Sequence, residues 1–118
     1  MKLINQLELK IKKSKFIAYY YNVNNLQEIN QILDNLKKEH RKCNHLPYAY
    51  RINDIVKKSD DKEPTNTAGS PIYNIIERNN LNNVMIVVVR YYGGIKLGTG
   101  GLIRAYTNVT KEVIKKVE

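Results

Sequence analysis

The chain has 118 residues, of which 42% are apolar and 26% charged, a composition that fits one ordinary globular domain. Its formal charge of +9 favours anionic partners, although abundant Lys, Asn, Ile and Tyr also fit the codon bias of an AT-rich genome. No run nears the roughly 20 apolar residues of a membrane span, no secretory signal is read at the N-terminus, and the lone Cys43 excludes an internal disulfide and fits a reducing cytosol.

Leu3 to Ile11 alternates apolar and polar residues and predicts a strand. A polar turn follows at Lys12 to Lys15. Phe16 to Val23, rich in Tyr and Ile, predicts a second strand. Asn24 or Asn25 is placed to cap a helix. Within it Leu26, Ile29, Ile32, Leu33 and Leu36 recur at helical spacing as far as Glu39. Pro47 to Ile52 predicts a third strand, with Tyr48 and Tyr50 on one face and Ala49 and Arg51 on the other. Residues 53–66 hold no sustained period and read as a surface loop. Thr67 or Ser70 would cap a second helix, with Pro71 in its first turn and Ile72, Ile75 and Ile76 inside. Val84 to Val89 predicts a central strand. A glycine-rich turn then leads into a last helix traced by Leu102, Ala105, Tyr106, Val109, Val113 and Val117. The order β-β-α-β-α-β-α predicts one domain over residues 1–118: an α/β two-layer sandwich of the α+β class, with a four-stranded mixed sheet and helices packed on it.

Five of the six glycines fall between Gly93 and Gly101. Placed between a buried strand and a helix start, such a run exposes backbone N–H groups that suit an anion, and Lys96 and Arg104 add charge. A tight chain reversal would need the same residues. The run is not a phosphate loop, because Thr99 and Gly100 follow Gly98 where Lys and Ser or Thr are required; nor is it a dinucleotide fingerprint, because Ile103 takes the third glycine's place. The segment Asp60 to Gly69 carries Asp60, Asp61 and Glu63, which could hold Mg²⁺ or stand as solvated charges on a loop. His45 could move protons or serve structure. Of nine tyrosines, seven lie in or next to strands, where exposed ones could stack on bases.

Arg90 to Tyr106 resembles the signature of the IMPACT family, known in bacteria as YigZ. Lys13-Ser14-Lys15-Phe16, His45 with Ala49-Tyr50-Arg51, and Ser59-Asp60-Asp61 with Glu63-Pro64 and Thr67-Ala68-Gly69 agree in order. The likeness covers nearly the whole chain. It departs at Leu46-Pro47, where the family has Asn-Cys, at Lys62, where it has Gly, and at Thr65-Asn66, where it has Ser-Gly. The ferredoxin-like C-terminal domain of many bacterial relatives is expected to be absent. The resemblance implies the fold of the second domain of small-subunit ribosomal protein five, shared with ribonuclease P protein, domain four of elongation factor G and the GHMP kinases. Eukaryotic members regulate translation by competing for an activator of the amino-acid-starvation kinase, and for bacterial members binding to nucleic acid or the ribosome is the usual proposal.

The expectation is therefore a cytoplasmic translation regulator that binds RNA, the ribosome or a translation-associated protein, with no membrane partner. Arg90, Tyr91, Tyr92, Gly93, Gly94, Lys96, Gly98, Thr99, Gly100, Gly101 and Arg104, with Lys13, Lys15 and Arg51, would meet the anion. His45, Tyr50, Asp60, Asp61, Glu63, Thr67 and Gly69 would meet a substrate or partner. No catalytic residue, metal ligand or cofactor is assigned. Two other readings stand beside this one. The first is an enzyme acting on a phosphorylated or nucleotide substrate, with Asp60 and Asp61 on a metal and His45 moving protons. The second is a protein-docking module.

Overall fold

A computed structural model describes residues 1–116. The elements are β1 (Lys2–Ile11), β2 (Ser14–Asn22), α1 (Leu26–Glu39), β3 (Tyr48–Ile52), β4 (Ile55–Ser59), α2 (Gly69–Arg78), β5 (Val84–Tyr91) and α3 (Gly98–Lys115). The strands form one five-stranded sheet in the order β1-β2-β5-β3-β4, and every pairing is antiparallel. The expected helix α1 appears with its bounds intact, and Asn25 caps it by accepting from the Glu28 N–H. No helix among the described residues is long and apolar enough to cross a membrane. Val117, expected on the last helix, lies outside the described residues.

Three expectations need correction. The sheet has five strands rather than four, because β4 lies inside the stretch read as a loop. Its residues Ile55 to Lys58 are exposed, so an edge strand with solvent on both faces leaves no period-two burial to read. The local signal was Asn53-Asp54, whose φ values of 48° and 66° are the pair of positive values that a type I′ hairpin turn requires. Lys12-Lys13 turns β1 into β2 in the same way, at 47° and 68°. The sheet is antiparallel rather than mixed. It also carries helices on both faces rather than one. Ile29, Ile32 and Leu36 of α1 pack with Tyr19, Tyr50, Met85 and Val87 on one side. Ile72, Ile76, Leu102, Tyr106 and Val109 of α2 and α3 pack with Phe16, Ala49, Ile86 and Val88 on the other. Burial from both sides explains why β5 is apolar without alternation.

The start of α2 differs in detail. Its N-cap is Ala68, which has no side-chain acceptor. Asp60 supplies one from eight residues upstream: its Oδ1 accepts from the Ala68 and Gly69 N–H groups, and its Oδ2 accepts from the Asn66 N–H. Pro71 sits in the first turn, as expected. Replacing Asp60 with Ala should therefore cost about 2 kcal/mol, the upper end for a lost helix cap, whereas Asn should lose less, because its Oδ1 can keep the Ala68 and Gly69 bonds while its NH2 cannot accept from Asn66. Urea denaturation of the two variants checks this.

Candidate functional site

β5 ends at Tyr91, and residues 92–97 run as irregular chain into α3. Gly93 is there because β1–β2 leaves no room: a Cβ would stand 1.9 Å from the Lys13 carbonyl oxygen. The hairpin turn is thus seated directly on the glycine segment. Gly94 has open space around it but a φ of +92°, which side-chain-bearing residues rarely adopt. Gly94, Lys96, Gly98, Thr99 and Gly100 are exposed. No side chain caps α3, so its first N–H groups face outward with the positive end of the helix dipole. The Arg104 guanidinium folds back over Gly100, where an added Cβ would lie 3.4 Å from Nη1. Lys12 and Arg104 line one groove of about 230 Å³ beside α3. The Lys15 ammonium lies 4.7 Å above the Tyr91 ring.

The opposite wall is the segment from Asp60 to Gly69, braced by its own hydrogen bonds. Besides the Asp60 contacts, the Thr67 hydroxyl donates to the Pro64 carbonyl at 2.6 Å. Gly69 lies so close to the Ser59 backbone that a Cβ would meet it at 2.9 Å. This frame turns Glu63 inward. Arg90 Nη1 donates to both carboxylate oxygens of Glu63, at 3.1 and 2.8 Å, and Arg90 Nη2 donates to Ser14 Oγ at 3.3 Å. The Tyr106 hydroxyl donates to Glu63 Oε2. Arg90 is 5% exposed and Glu63 6%, so the pair is screened from solvent. Arg90 also lies against two aromatic rings, with its guanidinium carbon 5.5 Å from the centre of Phe16 and 5.6 Å from that of Tyr92.

His45 bridges to the Arg90 backbone. Its Nδ1 lies 2.9 Å from the Asp61 carbonyl oxygen and its Nε2 3.5 Å from Glu63 Oε1. The Asp61 carboxylate accepts from the Leu46 N–H at 2.7 Å and fixes the same junction. Between these walls opens a cleft of about 430 Å³, lined by His45, Glu63, Pro64, Arg90, Tyr92, Lys96, Leu97, Thr99 and Leu102 among others. The glycine turn and the acidic segment, far apart in the chain, thus share one cleft.

Burial, then the Glu63 charge, drives the Tyr106 hydroxyl well above the ordinary phenol range. The folded chain therefore holds this proton after the unfolded chain has released it at about pH 10, so stability is lost as pH rises beyond that point. Tyr106→Phe removes this liability. We expect its alkaline decline to be shallower than that of wild type by about 1.4 kcal/mol per pH unit above about pH 10. Denaturation midpoints between neutral and alkaline pH read the difference.

Not every candidate residue reaches the cleft. Arg51 pairs with Val84 at the far end of β5, about 24 Å from Tyr91 at normal strand rise, and forms an ion pair with Asp54 at 3.0 Å. Tyr50 is buried on the α1 face. Arg90 reaches the cleft, but with its charge matched by Glu63. Asp60 and Asp61 bond backbone amides, and no group of three metal-ligating side chains occurs among the described residues. Sequence reasoning missed Ser14 and Tyr106 as partners of the buried pair. Tyr106 sits at core spacing in α3 and carried only the signal of an apolar stripe. Also missed was Asn44, whose side-chain oxygen accepts from the Tyr92 N–H at 2.8 Å. A second buried relay passed unnoticed as well: His40 places Nε2 2.6 Å from the Tyr19 hydroxyl and Nδ1 2.7 Å from that of Tyr91.

The model of the Impact N-terminal domain matches residues 12–114. The chain belongs to the Impact N-terminal domain family. This Impact domain is 40% identical over 113 residues to the IMPACT family member YvyE of Bacillus subtilis, covering 93% of the chain and 52% of YvyE. The chain spans about half the length of the curated relatives it matches. The crystal structure of a hypothetical protein superposes with a TM-score of 0.89 at 30% identity, over 95% of the chain and 57% of that protein. The two-domain translational regulator Yih1 superposes with a TM-score of 0.57 at 24% identity, over 98% of the chain and 46% of Yih1, and shares the fold.

Proposed function

We propose that this Impact domain is a non-enzymatic, cytoplasmic module of translational regulation that binds RNA, or the RNA surface of the ribosome, through the glycine turn. One observation carries the reading. At the uncapped, exposed start of α3 Arg104 folds back onto the helix and Lys96 lies just before it, Lys12 shares a groove with Arg104, the β1–β2 turn that bears Lys13 is seated on Gly93, and Lys15 lies over the Tyr91 ring. Free amides and cations on one side of the molecule complement a chain of phosphates, and the +9 net charge extends the attraction beyond contact distance. Yih1, described as a two-domain translational regulator, shares the scaffold.

Five neutralised phosphates on single-stranded RNA give a slope of log K against log salt of about −3.5. Lys96→Ala should flatten it by about 0.7 and weaken binding to all sequences alike. Fluorescence anisotropy with labelled RNA across a salt series reads both. Affinity weaker than about 10⁻⁴ M at physiological salt, where even non-specific binding registers, contradicts the proposal.

A second reading, docking of a translation-associated protein, draws on a different observation. Tyr92, Ile95 and Ile103 are large apolar side chains exposed on and beside the same turn, and such a cluster fits a protein partner better than a phosphate backbone. Pull-down with and without nuclease separates the two: a partner retained after nuclease favours protein docking.

A further inference from the structure

The cleft beside the glycine turn holds chemistry that phosphate binding does not use. The Asp61 carbonyl that meets His45 Nδ1 can only accept, so Nδ1 carries the hydrogen and, in the neutral ring, Nε2 is left as an acceptor. That acceptor stands 3.5 Å from Glu63 Oε1, which is another acceptor. Oε1 receives one bond from Arg90 and retains a lone pair. Glu63 is buried, its side chain 2% exposed, so the acceptor open to the cleft is Nε2 of His45, whose side chain is 24% exposed; in the neutral ring it is complemented by an N–H donor and repelled by a carbonyl. Much of the rest of the lining is apolar. Tyr92 is 44% exposed with the Arg90 guanidinium against its ring, and Leu97 and Leu102 line the same cleft. A volume of about 430 Å³ suits a small planar molecule.

We infer that this cleft binds a single nucleobase with an exocyclic amine at the position where hypoxanthine and uracil carry a carbonyl, that is adenine or cytosine, whose amine donates to His45 Nε2 while the ring stacks on Tyr92. Its phosphate reaches Lys96 and the start of α3. Uracil and hypoxanthine present a carbonyl where the amine should be and are disfavoured. The inference rests on the reading above in one respect: there the base belongs to an RNA strand. A free mononucleotide offers the same chemistry.

The test is a titration of the domain with AMP, IMP, CMP and UMP, followed by backbone amide shifts in NMR. AMP and CMP should move His45, Tyr92 and Thr99 and bind about tenfold tighter than IMP and UMP, the loss expected when an acceptor faces an acceptor. AMP and IMP differ only at this group and at the hydrogen on the adjoining ring nitrogen N1, and no substitution is needed, so a folding defect cannot imitate the result. Equal affinity for AMP and IMP, preference for IMP, shifts confined to other surfaces, or no binding at millimolar nucleotide would each overturn the inference. Oligo(A) and oligo(U) form the second arm. Equal, salt-dependent binding of both, with no discrimination among mononucleotides, leaves the RNA surface standing and removes the base site. Preference for AMP over IMP without affinity for either oligomer keeps the base site, assigns it to free nucleotides and removes the RNA reading.

Discussion

Replacing Glu63 with alanine is expected to destabilise the domain by about 3–5 kcal/mol, the range found when one partner of a buried ion pair is removed. Arg90 is 5% exposed and cannot turn to water without leaving its place between Phe16 and Tyr92. The substitution would strand its guanidinium and also leave the Tyr106 hydroxyl without its acceptor. The cost arises from uncompensated charge rather than from the worth of the pair itself. A double substitution, Glu63→Leu with Arg90→Met, should therefore be much milder than Glu63→Ala alone. Burial also shields the pair from salt, so the penalty should persist at high ionic strength. Guanidinium and urea midpoints for the three proteins provide the comparison. A loss below about 1 kcal/mol for Glu63→Ala, the value of an exposed ion pair, would mean that the site is wetter than its geometry indicates.

Gly93→Ala is expected to cost at least about 3 kcal/mol, beyond ordinary overpacking. The added methyl would stand 1.9 Å from the Lys13 carbonyl oxygen and 2.1 Å from its carbon. Both sides of that clash are backbone, so relief requires the β1–β2 turn to lift off the site. Gly94→Ala meets open space and pays only for its φ of +92°, about 1–2 kcal/mol. The adjacent glycines thus serve different ends, close approach at one and chain direction at the other. Thermal unfolding ranks the two variants. Equal losses would contradict the seating of the hairpin on the turn.

Much of this fold was legible because its signals are local. The helical spacing from Leu26 to Leu36 and the Asn25 cap set α1, and the apolar run Val84–Val89 set the central strand. β4 was hidden because an edge strand exposed on both faces has no alternation. The sharing of helices between the two faces depends on which side each connection crosses, which residue spacing does not encode. At the site, the glycine turn and the acidic segment were both visible, but not their meeting across one cleft. Asp60 caps α2 from eight residues away, and Glu63 pairs with Arg90 across 27 residues. Contacts of that kind are products of the tertiary fold. Arg90 shows the consequence: in sequence it is one more cation beside the glycines, while in the structure its charge is spent on Glu63 and the exposed lysines remain.

The central claim is that an anionic strand meets the exposed start of α3. Amide shift mapping with a short single-stranded RNA tests it most directly. The expected result is that Gly94 and Gly98 to Gly101, with Lys13 and Arg104, move on titration and return as salt is raised. Shifts confined to β4 and α1, or a spectrum unchanged at saturating RNA, would contradict it.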